Sequence, residues 1–441
     1  MRILLALWLS AALLCAQDFT AKAGAYIDSW ARDGHFSGTV LVVKDGKPLL
    51  RKGWGMANRE WNIPNAPDTR FRLGSITKQF TAAAILTLAE QGKLSLQDPV
   101  NKFYAEAPAA WEKITIHHLL NHTSGIVSYT GLPGFFQKES MTARTPAEIV
   151  KLTQDKPLEF EPGSKMKYNN SGYILLGYVI EKVSGMPYDE YLKKNLFEPL
   201  GLKDTGYDWN QAIIARRASG YQPDGKHAAY LDMSLPYAAG SLYSTVDDLA
   251  VWAAALESGK VVSKENYTKM TTPYLNQYGY GLVMDKIENH EVVGHGGGIN
   301  GFNTMLLRAG GDGLTVAVLA NQNTPAADRI SKDLVALYLG KDVKPRPVLT
   351  EVKLPAGKLD SVAGQYELRP GFVLKVWREG QQLMTQATGQ GKLAIQASAE
   401  DQFFSTLVDA RIIFQRGPDG KVTQLTLHQG GREMVGKRIG D

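Results

Sequence analysis

The chain has 441 residues, with 49 lysines and arginines against 44 aspartates and glutamates and a formal net charge of +5. So small a charge over this length, with no Lys/Arg cluster, excludes the electrostatic footprint of a nucleic-acid or membrane-surface binder. Cys15 is the only cysteine, which excludes disulfides and Cys-based zinc sites, and two or three domains are expected at this length.

In chain order, Arg2 and the apolar run Ile3 to Leu14 make a positive start and a stretch too short to span a bilayer. With Ala16-Gln17 as a cleavage point, residues 1–16 are read as a secretory signal, and a periplasmic or secreted protein is expected. An N-terminal membrane anchor is the alternative. Lipidation at Cys15 is disfavoured by the bulky Leu14 before it. Phe19 to Arg32 has the pattern of an amphipathic helix. The runs Thr39 to Val43 and Pro48 to Arg51 flank Asp45-Gly46, a short hairpin signal.

The stretch Phe71 to Ala89 is almost free of helix breakers after Gly74 and apolar on nearly every face, which predicts a buried helix stopped at Gly92. Ser75 and Lys78 lie three apart on one face of it. Burial disfavours an ammonium, so Lys78 is expected to serve as a free amine able to take the serine's proton. Ser-x-x-Lys also arises by chance. Ser164-Lys165-Met166-Lys167 is such a decoy, placed on the Pro162-Gly163 turn with no buried helix to hold it.

From Lys93 to about Pro236 helical periods and turns dominate, as at Ile116 to Asn121, Pro146 to Gln154 and Gly172 to Val183. Strand signals return at Val292 to His295, Asn303 to Arg308 and Leu314 to Leu319, followed by a helix over Ala326 to Leu339. Strands at both ends with helices between predict one α/β (α+β) domain over 17–340: an antiparallel sheet built from both ends, with a helical lobe over 93–236 inserted into it. A proline-stiffened linker over 341–356 follows. Beyond it, short strands separated by tight turns predict an all-β up-and-down barrel over 357–441, with no convincing catalytic set of its own.

Two further motifs join Ser75 and Lys78. Tyr168-Asn169-Asn170 opens a helical stretch in the lobe, where the bland reading is a capped turn. Gly294-His295-Gly296-Gly297-Gly298 ends a strand, and such glycines let a ligand approach free backbone N–H groups. The order Ser-x-x-Lys, Tyr-x-Asn, His-x-Gly resembles the serine β-lactamase and penicillin-binding-protein superfamily, in its class C β-lactamase, D-alanyl-D-alanine carboxypeptidase and family VIII esterase branch. Supporting phrases are His118 to Gly125, Gly240 to Thr245 and Gly294 to Phe302, and the resemblance covers residues 30–340 or so. The C-terminal part resembles the lipocalin-like barrel appended to some members.

The resemblance implies that Ser75 forms an acyl-enzyme and that Lys78 and Tyr168 share the proton transfers, with either as base. It implies that Asn170 positions Lys78 and the substrate amide, and that the N–H groups of Ser75 and Gly298 form an oxyanion hole, with Gly297 beside it in the substrate-binding strand. His295 stands where many relatives carry lysine. Half-protonated near neutrality and near the cleft mouth, it would grip a carboxylate weakly, which shifts weight from β-lactams toward esters, amides or D-amino-acid peptides. A small-molecule or short-peptide substrate is implied and no cofactor. A zinc site is disfavoured because Leu119, between His118 and His122, fills the place of a zincin glutamate. An α/β-hydrolase would need Gly-x-Ser-x-Gly, which is absent. A true β-lactamase or carboxypeptidase, and a non-catalytic penicillin sensor, are the alternatives.

Overall fold

The computed structural model describes residues 2–405, 407–430 and 432–440, with side chains described from Gln17 onward. The signal reading of residues 1–16 therefore falls on side chains outside the described set. A helix runs over Arg2–Arg32, and among the described residues no helix is long and apolar enough to cross a membrane.

Two compact units divide the chain: residues up to Ala25 with Ser37–Val343, and Tyr26–Phe36 with Lys344 onward. In the first unit both ends build one antiparallel sheet. Its order is Lys47–Trp54, Gly38–Lys44, Leu314–Ala320, Phe302–Ala309, His290–Ile299, Val283–Ile287. All seven residues of Leu314–Ala320 are buried, so this strand lies mid-sheet and covered on both faces. The Gly38–Lys44 hairpin turns at Asp45 and Gly46 with φ of 48° and 76°, as a two-residue turn between right-twisted strands requires.

The expected central helix, Thr77–Glu90, is entered through a 3-10 turn over Gly74–Ile76 that lies beside the His290–Ile299 strand. Residues from Thr77 to Leu86 are all buried, and Phe80 stacks on Trp252 with ring centroids 3.9 Å apart. Burying a phenylalanine of this kind contributes about 1.5–3 kcal/mol. The lobe supplies Asn170–Ser184, which starts where the Asn169 side chain accepts the Gly172 N–H and stops at left-handed Gly185.

The second unit is a closed antiparallel barrel of eight strands between Gly364 and Gly440, each lying on one of the short strand runs read from the sequence. Tyr366, Leu383, Phe403, Phe414 and Leu425 fill its interior. Residues 26–36, expected inside the 17–340 domain, group with this unit instead. Arg346 explains the grouping: its N–H donates to Ser29 Oγ (2.9 Å), its guanidinium covers the Trp30 ring (4.5 Å), and it pairs with Asp33 and Asp409. The expected linker is pinned further along too, where the Val352 N–H donates to Ala397 O at 2.8 Å.

Candidate active site

Ser75 is presented by Gly74, whose φ of +55° favours glycine. A Cβ on Gly74 would also lie 3.0 Å from the Gly298 nitrogen, so glycine lets the serine turn meet the strand edge. Lys78, fully buried, points back along the helix to Ser75 Oγ at 3.1 Å. Asn170 Oδ1 and the Ala239 carbonyl also accept from its Nζ, at 2.9 and 2.8 Å. The Asn170 amide is held in turn, because its Nδ2 donates to Thr130 Oγ1 at 3.0 Å. Tyr168 and Tyr173 present their rings 4.8 and 5.4 Å from Nζ.

Burial pushes the Lys78 ammonium well below its ordinary value, although three acceptors around Nζ match the three N–H bonds of a cation. Both observations are satisfied by a free amine. It donates to Asn170 Oδ1 and Ala239 O and turns its lone pair to the Ser75 hydroxyl, whereas the ammonium form donates to all three. Burial alone lowers it, and desolvation works against the charged form. Tyr168 is 39% exposed as a residue; burial of its phenol raises it, and a hydrogen-bond interaction with Ser75 opposes this. It rests as a neutral phenol.

His295 corrects one expectation. Only 6% exposed, it is no half-charged group near the cleft mouth: burial, above all, pushes it down to about 4. Its Nδ1–H donates to Gly296 O (2.5 Å), which leaves Nε2 to accept the Tyr278 hydroxyl at 2.9 Å. At neutral pH this imidazole carries no charge.

The adjacent glycines divide by strand pleat. Gly298 is exposed and faces the cleft, and a Cβ there would meet nothing within 4 Å. Gly297 points the other way, where a Cβ would sit 1.8 Å from Leu73 O and 2.4 Å from Thr304 Oγ1. Gly297 thus packs the strand on the serine turn, and of the two only Gly298 lines the cleft. The decoy Ser164 is exposed and donates to Glu161 O at 2.7 Å, remote from these groups. His118 closes the cap of Ile116–Leu120, accepting the Thr115 N–H on Nδ1 at 3.2 Å.

Residue motifs missed Thr130, the Ala239 carbonyl, Tyr278 and His122. His122, in a left-handed conformation (φ 62°), packs its ring 4.4 Å from Tyr168 and 4.6 Å from Tyr278. Its place in the supporting phrase His118 to Gly125 was the one available signal.

Ser75, Asn170 and Gly298 line a cleft of about 440 Å3. Its apolar lining comes from Tyr129, Phe135 and half-exposed Phe136 and from Leu231, Leu235 and Pro236. Phe135 sits edge-on to Tyr129 and Phe136, with centroids 5.0 and 5.3 Å apart. No ionisable acid or base other than the Tyr129 phenol lines this cleft among the described residues.

The buried imidazoles give a stability prediction. Above about pH 6.5 His295 is neutral both folded and unfolded; below it the unfolded chain takes up a proton that the folded chain refuses until about 4. Acidification across that window should therefore remove about 3 kcal/mol through His295, and His122 acts in the same direction. Thermal melts of wild type and His295→Gln from pH 7.5 to 4 test this. The variant should lose less stability on acidification, and parallel pH dependences would refute it.

Residues 22–341 match the β-lactamase family, and residues 350–438 match a domain of unknown function, DUF3471. Penicillin-binding protein 4* of Bacillus subtilis (strain 168) is 30% identical over 431 residues, spanning 90% of this chain and 94% of that protein. The octameric penicillin-binding protein homologue from Pyrococcus abyssi superposes with a TM-score of 0.67 at 28% identity, over 95% of this chain and 99% of that one. D-amino acid amidase from Ochrobactrum anthropi SV3 gives 0.64 at 26% identity, over 72% and 96%. With the family match spanning its whole sheet-and-lobe unit, this chain belongs to the β-lactamase family.

Proposed function

We propose that the protein is a serine hydrolase that transfers the acyl group of uncharged esters or amides to Ser75 and then to water. The observation that carries this is a buried Lys78 whose Nζ lies 3.1 Å from Ser75 Oγ and whose pKa burial holds well below its ordinary value. Lys78 takes the hydroxyl proton as Oγ attacks the acyl carbon. The N–H groups of Ser75 and Gly298 receive the developing oxyanion. Tyr168, a neutral phenol, hands a proton to the leaving group and recovers one from the Lys78 ammonium. Water then attacks the ester by the same route reversed. Asn170 holds Lys78 in line. The positive start and apolar run of residues 1–16 support action in the periplasm or outside the cell.

The cleft's charge supports the substrate class. A hydrogen bond to a charged partner contributes about 1.5–3 kcal/mol, so a substrate carboxylate or ammonium that finds no counter-charge forfeits roughly 10- to 100-fold. Neutral apolar acyl groups forfeit nothing. The relatives named for penicillins and D-amino acid amides support the acyl-transfer chemistry and keep amides within the proposal.

A substrate panel tests the reading: p-nitrophenyl acetate, butyrate and phenylacetate, a D-phenylalanine amide, a D-alanyl-D-alanine peptide and a penicillin. Ester turnover should exceed that of the charged substrates, and kcat/KM should rise about fourfold per buried methylene. Phe136→Ala should cost phenylacetate about 5- to 10-fold while leaving acetate within about twofold. A penicillin or peptide hydrolysed faster than every ester would overturn the neutral-substrate reading and favour a true β-lactamase or carboxypeptidase.

A further inference from the structure

We propose that Tyr237 and Glu181 are positioning residues that aim Lys78 by holding the backbone turn whose carbonyl grips its amine; the inference rests on Lys78 as the base. The turn, Tyr237–Gly240, begins with a non-glycine residue in the left-handed region, Tyr237 at φ +39°. Such a conformation costs about 1–3 kcal/mol and persists only where its surroundings impose it. The surroundings here are visible. The buried Tyr237 hydroxyl donates to Glu181 Oε1 at 2.7 Å, and the same oxygen accepts the Tyr188 N–H at 3.1 Å. The Tyr188 hydroxyl lies 2.7 Å from Thr81 Oγ1, which donates to Ala238 O at 2.7 Å. Gly177, one turn before Glu181 on the same helix, leaves room for the strained residue: a Cβ there would lie 2.3 Å from the Tyr237 ring and 2.5 Å from Ala238 Cβ.

The next carbonyl along, Ala239 O, accepts from Lys78 at 2.8 Å. Two anchors, one at the Tyr237 ring tip and one at Ala238 O, therefore set the direction of the third group. If Ala239 O swings away, Lys78 loses one of the two N–H contacts that turn its lone pair onto Ser75. The partial negative charge of that carbonyl also favours the ammonium, so its withdrawal lowers the lysine's pKa further. The other ionisable groups facing Lys78 are the phenols Tyr168 and Tyr173 and the buried imidazoles His122 and His295, all neutral at pH 7. Tyr237 itself is faced by Glu181, Tyr188 and Tyr207. Tyr237, Glu181, Tyr188 and Tyr207 do not line the cleft themselves; they reach it through the turn, whose Ala239 and Gly240 line it and whose Ala239 carbonyl holds Lys78.

The test is the pH dependence of Ser75 labelling by a fluorophosphonate, which needs no knowledge of the substrate. In Tyr237→Phe, which keeps the ring and removes the hydroxyl, the plateau rate should fall about tenfold or more, because small misplacements of a reacting group are costly. The acidic limb should move to lower pH, and KM for p-nitrophenyl acetate should stay within about twofold. Glu181→Gln retains an acceptor oxygen and should behave as wild type, whereas Glu181→Ala should reproduce Tyr237→Phe. An unmoved limb and plateau in Tyr237→Phe would overturn the inference, as would Glu181→Gln as impaired as Glu181→Ala. Absence of any Ser75 adduct in the wild type would instead overturn the acyl-enzyme reading beneath it.

Discussion

Replacing Ser75 with alanine is expected to lower ester turnover by about 10,000-fold or more, the scale on which a nucleophile's loss is felt when its partners remain. The change should leave the fold intact. The serine turn is set by Gly74 and by the Leu73 N–H donating to Leu242 O at 2.8 Å, and neither involves the hydroxyl. Ser164→Ala, which alters only an exposed turn, should retain full activity. Intact mass and peptide mapping after fluorophosphonate treatment should place the adduct on Ser75. A Ser75→Ala protein that turned esters over at near wild-type rate would sink the acyl-enzyme reading.

Lys78 should be nearly as sensitive, and the choice of replacement tells its roles apart. Lys78→Met keeps the length of the stem and removes the base, with an expected loss of about 100- to 10,000-fold in kcat/KM. Lys78→Arg keeps a positive charge that cannot be given up in a protein, and should be as inactive. In the wild type, a base works only when deprotonated, so kcat/KM should rise with pH through the lysine's own pKa. Burial places that pKa well below 10.5, and the acidic limb should lie correspondingly low. Activity retained within about tenfold in Lys78→Arg would mean that the residue serves as a fixed charge, and the proton would then have to leave through Tyr168.

Much of this molecule is written in local pattern. The short runs that make the barrel strands, the Asp45-Gly46 turn and the breaker-free run behind Gly74 all act over a few residues, and each forms where its pattern lies. Ser75 and Lys78 share a helical face by spacing alone, so hydroxyl and amine could be paired without a fold. What spacing cannot express is which distant atoms close around them. Ala239 O and Thr130 reach the site from other loops, and Tyr278 meets His295 only because the chain brings the two together across a turn and a strand. Protonation is decided in the same non-local way. A histidine's type suggests a group half charged near neutrality, but the low dielectric around His295 is made by every neighbour that excludes water from it. Pleat decides between Gly297 and Gly298, alike as letters, because one faces Leu73 O and the other faces the cleft. Residues 26–36 read as part of the first domain by order along the chain, yet Arg346, more than three hundred residues later, holds Ser29 and Trp30. Short-range periodicity determined the elements and the pairing of Ser75 with Lys78. Burial and long-range hydrogen bonds, which exist only once the chain has closed on itself, decided the charge, the aim and the reach of the site.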